Sequence, residues 1–269
     1  MKRIVNKPPV NTFGWLHVNG TAAEVSEAEE TRRYELTDGE ERTVVLDGAP
    51  PALRLTADIA DGGTLRLIQL RRGGAETAVS DLRVRCGENA RFEWYRVVLG
   101  GAATYDSCSV ELAGDGSSFA AELGYRLGGA ERLDVNCEAI HTGKRTQSAI
   151  RASGALSERA FKLLRGTIDL RRGCAGAVGN EYEDALLMDE TVRSQSVPVI
   201  LCAEEDVEGN HGATIGRPDE TLVYYLESRG MTREAICGLL AKAKLDAVLR
   251  RLPDGALRRE LLGEEAEAE

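Results

Sequence analysis

The sequence predicts a mainly β chain with a helical C-terminal end, and three observations carry that prediction. Apolar and polar residues alternate in run after run between residues 42 and 215, the period of a half-buried strand. Glycine-rich turn signals separate these runs, roughly a dozen residues apart. Aromatic residues make up only 5% of the chain while glycines number 29, which suits short strands and tight turns.

The runs can be followed in order. Alternation is clear in Leu65-Arg66-Leu67-Ile68-Gln69-Leu70, in Leu82-Arg83-Val84-Arg85-Cys86 and in Phe92-Glu93-Trp94. It returns in Val110-Glu111-Leu112, at every second position from Phe119 to Leu127, and in Leu133-Asp134-Val135-Asn136-Cys137. The breaks between them include Asp61-Gly62-Gly63, Gly87-Glu88-Asn89, Gly100-Gly101, Gly114-Asp115-Gly116 and Gly128-Gly129. This spacing fits an antiparallel sandwich or barrel, and it fits equally a parallel β-helix of stacked coils. Base rates favour the sandwich.

The helical end begins at Pro218-Asp219. Proline fixes φ ahead of the first turn, Asp219 can cap free N–H groups, and Glu220 suits the positive end of the helix dipole. Leu222, Tyr225 and Leu226 share one face, and Gly230 supplies a left-handed terminator. Thr232 can cap a second helix with two apolar faces. One holds Ile236, Leu239, Leu240, Ala243 and Ala247, and the other Leu245, Val248, Leu249 and Leu252. Such a helix wants two partners, the end of the β core and something else. Pro253-Asp254-Gly255 breaks it, and a short helix with Leu257 and Leu261 follows.

Composition removes several function classes. A net charge of −10 argues against a nucleic-acid partner, whose phosphates require a basic surface. No apolar run approaches the ~20 residues of a membrane span and no signal-like segment opens the chain, so a cytoplasmic protein without a membrane partner is expected. The cysteines at 86, 108, 137, 174, 202 and 237 form no CxxC pair, which disfavours a zinc knuckle and suggests buried thiols. The chain has no GxxxxGK[ST], HExxH or GxSxG motif, so nucleotide hydrolysis and the common hydrolytic chemistries are not expected of it.

The most informative stretch is HGATIGRPDETLVYYLESRG, residues 211–230. With the upstream GALSERAFKLLRGTIDLRRGCAGAVGNEYEDALLMDE, it resembles the SufB/SufD family, the scaffold subunits of SUF iron–sulfur cluster assembly. The resemblance covers roughly residues 130–250, and the ATIG after the histidine is closer to SufD. It implies a right-handed parallel β-helix core with a C-terminal α-helical subdomain. The expected organisation is a short N-terminal cap or linker over 1–40, the β-helix over 41–217, a docking region over 218–262 and a disordered acidic tail over 263–269. The long N-terminal helical region of larger relatives is absent from this reading, which makes the chain a minimal SufD-like member.

The resemblance also supplies candidate residues. Iron–sulfur assembly calls for exposed, partly saturated thiolate, imidazole or carboxylate ligands. His211 matches the histidine that SufD places at its interface with SufB, and Glu208 and Cys202 are the other candidate metal ligands. The family pattern departs at Gly209, where SufD commonly has a cysteine, and the assembly cysteine of SufB falls near Glu183-Asp184 here. A transient cluster at a subunit interface is therefore expected to draw ligands largely from the partner, and no tightly bound cofactor is expected. His141 and the flanking TGKRTQS read as a turn of the β-helix, and Cys137 and Cys174 as packing. In the family the C-terminal helices bind the SufC ATPase. The expected docking residues are Leu222, Tyr225, Leu226, Arg229 and Gly230, with Leu245, Val248 and Leu249 from the second helix.

The leading expectation is thus a non-catalytic scaffold that partners a SufC-like ATPase and a SufB-like subunit or a second copy of itself. Two rivals stand beside it. One is a degenerate interaction module that binds no metal. The other is a carbohydrate-active β-solenoid, disfavoured by the scarcity of aromatics and by the lack of an obvious carboxylate pair at repeated strand positions.

Overall fold

The computed structural model describes residues 1–12, 14–48 and 50–263. Two seven-stranded parallel sheets face one another and make a β-solenoid. The first contains β3 (Glu30–Leu36), β5 (Ala52–Ile59), β7 (Thr77–Cys86), β9 (Ala103–Leu112), β11 (Arg132–His141), β13 (Phe161–Leu170) and β15 (Arg193–Cys202). The second contains β4 (Glu41–Asp47), β6 (Thr64–Arg71), β8 (Arg91–Leu99), β10 (Ser118–Leu127), β12 (Gln147–Leu156), β14 (Ala177–Leu187) and β16 (Val207–Gly216). Consecutive strands lie in opposite sheets, and each pairs in parallel with the strand one coil away, so Arg91 faces Ser118 and Ser118 faces Gln147. The turn signals recur twice per coil, which is why their spacing could not separate this fold from a sandwich.

Every second residue points into the lumen. Phe92 stacks on Phe119 with ring centroids 5.6 Å apart and planes 7° off parallel. Around them Leu65, Leu82, Trp94, Cys108, Cys137 and Ile150 are fully buried. At one corner Gly87, Gly114 and Gly143 stack so closely that a Cβ on either of the last two would strike the backbone of the coil before. The coils can approach at this corner only because these residues lack side chains.

β1 (Lys2–Val5) and β2 (Thr21–Glu24) form an antiparallel pair, and the N-terminal segment lies along the outer face of the first sheet. It is fastened by a buried ion pair, Arg165 Nη1 to Asp134 Oδ1 at 2.5 Å, both side chains fully enclosed. Asn6 Nδ2 and Thr21 Oγ1 donate to the same carboxylate at 2.8 and 2.5 Å, and Arg165 Nε donates to the Val18 carbonyl at 2.5 Å. The solenoid also begins before the expected boundary at 41, because β3 already pairs with β5.

The helical end begins as expected. Asp219 accepts from the Thr221 N–H at 2.8 Å and opens α1 (Glu220–Glu227), and Gly230 is left-handed at φ 88°. Thr232 caps α2 (Arg233–Leu249), and Asp254 caps α3 (Gly255–Leu262). α2 folds back across the outer face of the second sheet over β10 and β12. Gly124 makes the room, since a Cβ there would meet Leu245 Cδ1 at 3.1 Å and Val248 Cβ at 3.2 Å. Leu245, Leu249, Leu252 and Leu262 then close over Ile68, Leu70 and Val97. Ion pairs from Lys244 to Asp184 (2.6 Å) and Arg251 to Glu122 (2.9 Å) border this contact. The expected acidic tail lies, from residue 264 onward, outside the described residues.

Candidate functional site

The solenoid ends in two strands that each have a neighbour on one side only, β15 in the first sheet and β16 in the second. β16 is exposed along most of its length and carries His211. Its register sets Gly209 beside Gly179, His211 beside Glu181 and Ala213 beside Glu183. Positions 179, 181 and 183 are buried and lumen-facing, so His211 stands on the inner side of the last coil, next to its open mouth.

The three expected metal ligands are not brought together. Glu208 is three residues from His211 along one strand and so faces the opposite side of the sheet. Cys202 ends β15 at the corner, where its Sγ donates to the Glu204 carbonyl at 3.1 Å. His211 lies four residues into the following strand, roughly 13 Å beyond that corner. Among the described residues no three His, Cys, Asp or Glu side chains converge as a metal site. Gly209 lies under Ile200 and Leu170. A Cβ there would meet Ile200 Cγ2 at 3.0 Å and Leu170 Cδ1 at 3.4 Å.

What gathers behind His211 is a polar lumen that sequence reading missed. Lys162 of β13 hydrogen-bonds Glu183 directly and donates to Ser196 Oγ at 3.1 Å, and Ser196 Oγ donates in turn to Glu183. Glu181 sits over Gly166, and among the described residues one of its buried carboxylate oxygens, the Tyr125 hydroxyl and the Ser194 hydroxyl have no hydrogen-bond partner. Burial, reinforced by neighbouring Glu183, pushes Glu181 up to about 7, while Lys162 opposes the shift. Burial depresses Lys162 against the opposing pull of Glu183. The signal was present in the sequence: Glu181 and Glu183 are two apart in a strand and share its inner face. This is a carboxylate pair at repeated strand positions, but it is enclosed and bound to Lys162 rather than lining a sugar groove.

His141 is a core residue, with Nδ1 2.7 Å from Thr146 Oγ1 and Nε2 2.9 Å from Ser148 Oγ. Cys86, Cys108, Cys137 and Cys174 are buried, Cys237 is half-buried and Cys202 is exposed.

The docking residues divide. Leu222, Tyr225, Arg229 and Gly230 are exposed and Leu226 is half-buried, with the Arg229 guanidinium 4.7 Å from the Tyr225 ring centroid. Leu245, Val248 and Leu249 are buried under the chain's own sheet, so the expectation that they meet a partner is corrected. The second apolar face of α2 serves the solenoid wall.

A family model described as the SUF system FeS cluster assembly, SufBD core domain, matches residues 42–244. The chain belongs to the SufBD core family. It is 25% identical over 189 residues to the iron–sulfur cluster assembly protein SufD of Bacillus subtilis, covering 70% of this chain and 43% of that protein. It is 27% identical over 173 residues to SufB of the same organism, covering 64% of this chain and 37% of SufB. A SufBD family protein of Mycobacterium bovis, Mb1496, matches at 25% over 171 residues, 64% of this chain and 20% of that protein. This SufBD-family chain thus spans less than half the length of these relatives.

Proposed function

We propose that the chain is a non-catalytic, SufD-like scaffold subunit of an iron–sulfur cluster assembly complex, pairing through β16 with a SufB-like subunit or a second copy of itself. The observation that carries this reading is the contrast between the two ends of the solenoid. At the first end, β3 and β4 are studded with Glu30, Arg32, Arg33, Glu35, Glu41, Arg42 and Asp47, the pattern that keeps an edge from pairing. At the last end, β15 contains Pro198, which cannot donate to a ladder, whereas the ten residues of β16 hold one carboxylate and no lysine, arginine or proline. A long, exposed edge with a single charge is a strand-pairing surface.

Pairing along β16 brings His211 to the junction, where it offers one imidazole to a nascent cluster. The cluster is cargo, and a partner supplies its remaining ligands. A SufC-like ATPase docks on α1 through Leu222, Tyr225 and Leu226. Nucleotide hydrolysis belongs to that partner.

The test is reconstitution of cluster assembly with His211→Ala, with complex formation scored separately. Loss of cluster yield with the complex intact supports the ligand role. Unchanged yield instead favours the second reading, an interaction module without metal. That reading draws on Gly209 and on the separation of His211, Glu208 and Cys202.

A further inference from the structure

On the opposite side of the molecule from the helices, register aligns three residues across neighbouring strands of the first sheet: Arg132 on β11, Phe161 on β13 and Arg193 on β15. The two arginines thus flank the phenylalanine, with Cα atoms roughly 9.5 Å apart. They line a cleft of about 540 Å³ at the solenoid corner, beneath the N-terminal segment. His17 and Gln195 add hydrogen-bonding groups to its wall, and Leu163 joins Phe161 in an apolar floor. Among the described residues none that lines this cleft is acidic, in a chain whose net charge is −10.

The arginine charges are not spent elsewhere. Among the described residues Arg132 has one ion pair, to Asp134 at 3.7 Å, and that carboxylate is already held by Arg165, Asn6 and Thr21 at 2.5–2.8 Å. The Nε of Arg132 is buried without a hydrogen-bond partner among the described residues. Its guanidinium is fixed instead over the Phe161 ring at 4.0 Å, with Tyr105 beyond at 6.0 Å. Arg193 makes no ion pair among the described residues. Two guanidiniums, one of them held in place by aromatic stacking, make a fork for an oxyanion, and the apolar floor gives a stem a place to lie.

We propose that this cleft binds a small organic oxyanion, a phosphate or carboxylate carried on an apolar group, between Arg132 and Arg193. The site is independent of the β16 edge and of any cluster ligand. Calorimetric titration of the full chain with phenyl phosphate, benzoate and inorganic phosphate at low salt tests it. Saturable binding of phenyl phosphate or benzoate is expected, with inorganic phosphate weaker. Arg193→Gln, at an exposed position, is expected to weaken binding about tenfold or more, and Arg132→Gln to do the same. Preference for phenyl phosphate or for benzoate identifies which oxyanion the fork suits, and either supports the assignment. Absence of saturable binding through the millimolar range overturns it. So does binding unchanged by Arg193→Gln, or inorganic phosphate binding as tightly as the aromatic anions.

Discussion

His211 stands in direct register with Glu181, so the exposed imidazole at the mouth of the solenoid is backed by a buried carboxylate held up at about 7. The two sit on adjacent parallel strands, where neighbouring chains are about 4.8 Å apart.

That carboxylate makes stability depend on pH in a stated direction. Its folded value lies above its ordinary value of 4.5, so Glu181 favours the folded state when protonated. The benefit is complete below about 4.5 and is lost as pH rises through about 7. Glu181→Gln is therefore expected to flatten the loss of stability between those values, by up to roughly 3 kcal/mol. Urea unfolding at a series of pH values measures it, and an unchanged profile contradicts the burial argument.

His141 works in the opposite sense. Burial lowers it from 6.5 to about 4, so its neutral form supports the fold above 6.5 and that support disappears as pH falls through about 4. His141→Gln is expected to shift the acid-unfolding limb to lower pH while costing some stability at neutral pH through the Thr146 and Ser148 contacts.

Arg165→Met leaves Asp134 buried without its principal counter-charge and is expected to cost about 3–5 kcal/mol. The double change Arg165→Met, Asp134→Leu should cost less than the single one. Equal losses would mean that the pair does not act as a unit.

The helices separate docking from folding. Leu249→Ala should destabilise the chain by about 2–5 kcal/mol, because its side chain closes over the second sheet. Leu222→Asp and Tyr225→Asp lie on an exposed face and should leave stability within about 0.5 kcal/mol while abolishing capture of a SufC-like ATPase. Point changes are the right tool. Removing everything after residue 218 would uncover Ile68, Leu70 and Val97.

Much of this was legible in the chain. Period-two alternation from Phe119 to Leu127 placed the inner face of β10, and Asp219, Gly230 and Thr232 marked their helix ends. Strand pairing was not legible from local pattern, since Arg91, Ser118 and Gln147 become neighbours only when the coils stack. The docking face of α2 was misread for a related reason. An apolar stripe reveals that Leu245, Val248 and Leu249 must be covered, and it does not reveal that the cover is the glycine-notched wall of the same molecule. The Glu181-Glu183 spacing was readable within β14, whereas their meeting with Lys162 and Ser196 was not, because those partners come from β13 and β15 and converge only when the coil closes.

The central claim is that β16 is the edge through which this scaffold pairs. Asn210 and Thr214 are exposed on that strand, and lysine at both positions should leave the monomer folded while blocking edge pairing. Sedimentation velocity of wild type and the Asn210→Lys, Thr214→Lys variant, alone and mixed with a SufB-like subunit, reads this directly. The account predicts a dimer or heterodimer for wild type and a monomer of unchanged thermal stability for the variant. Association of equal strength in both would contradict it.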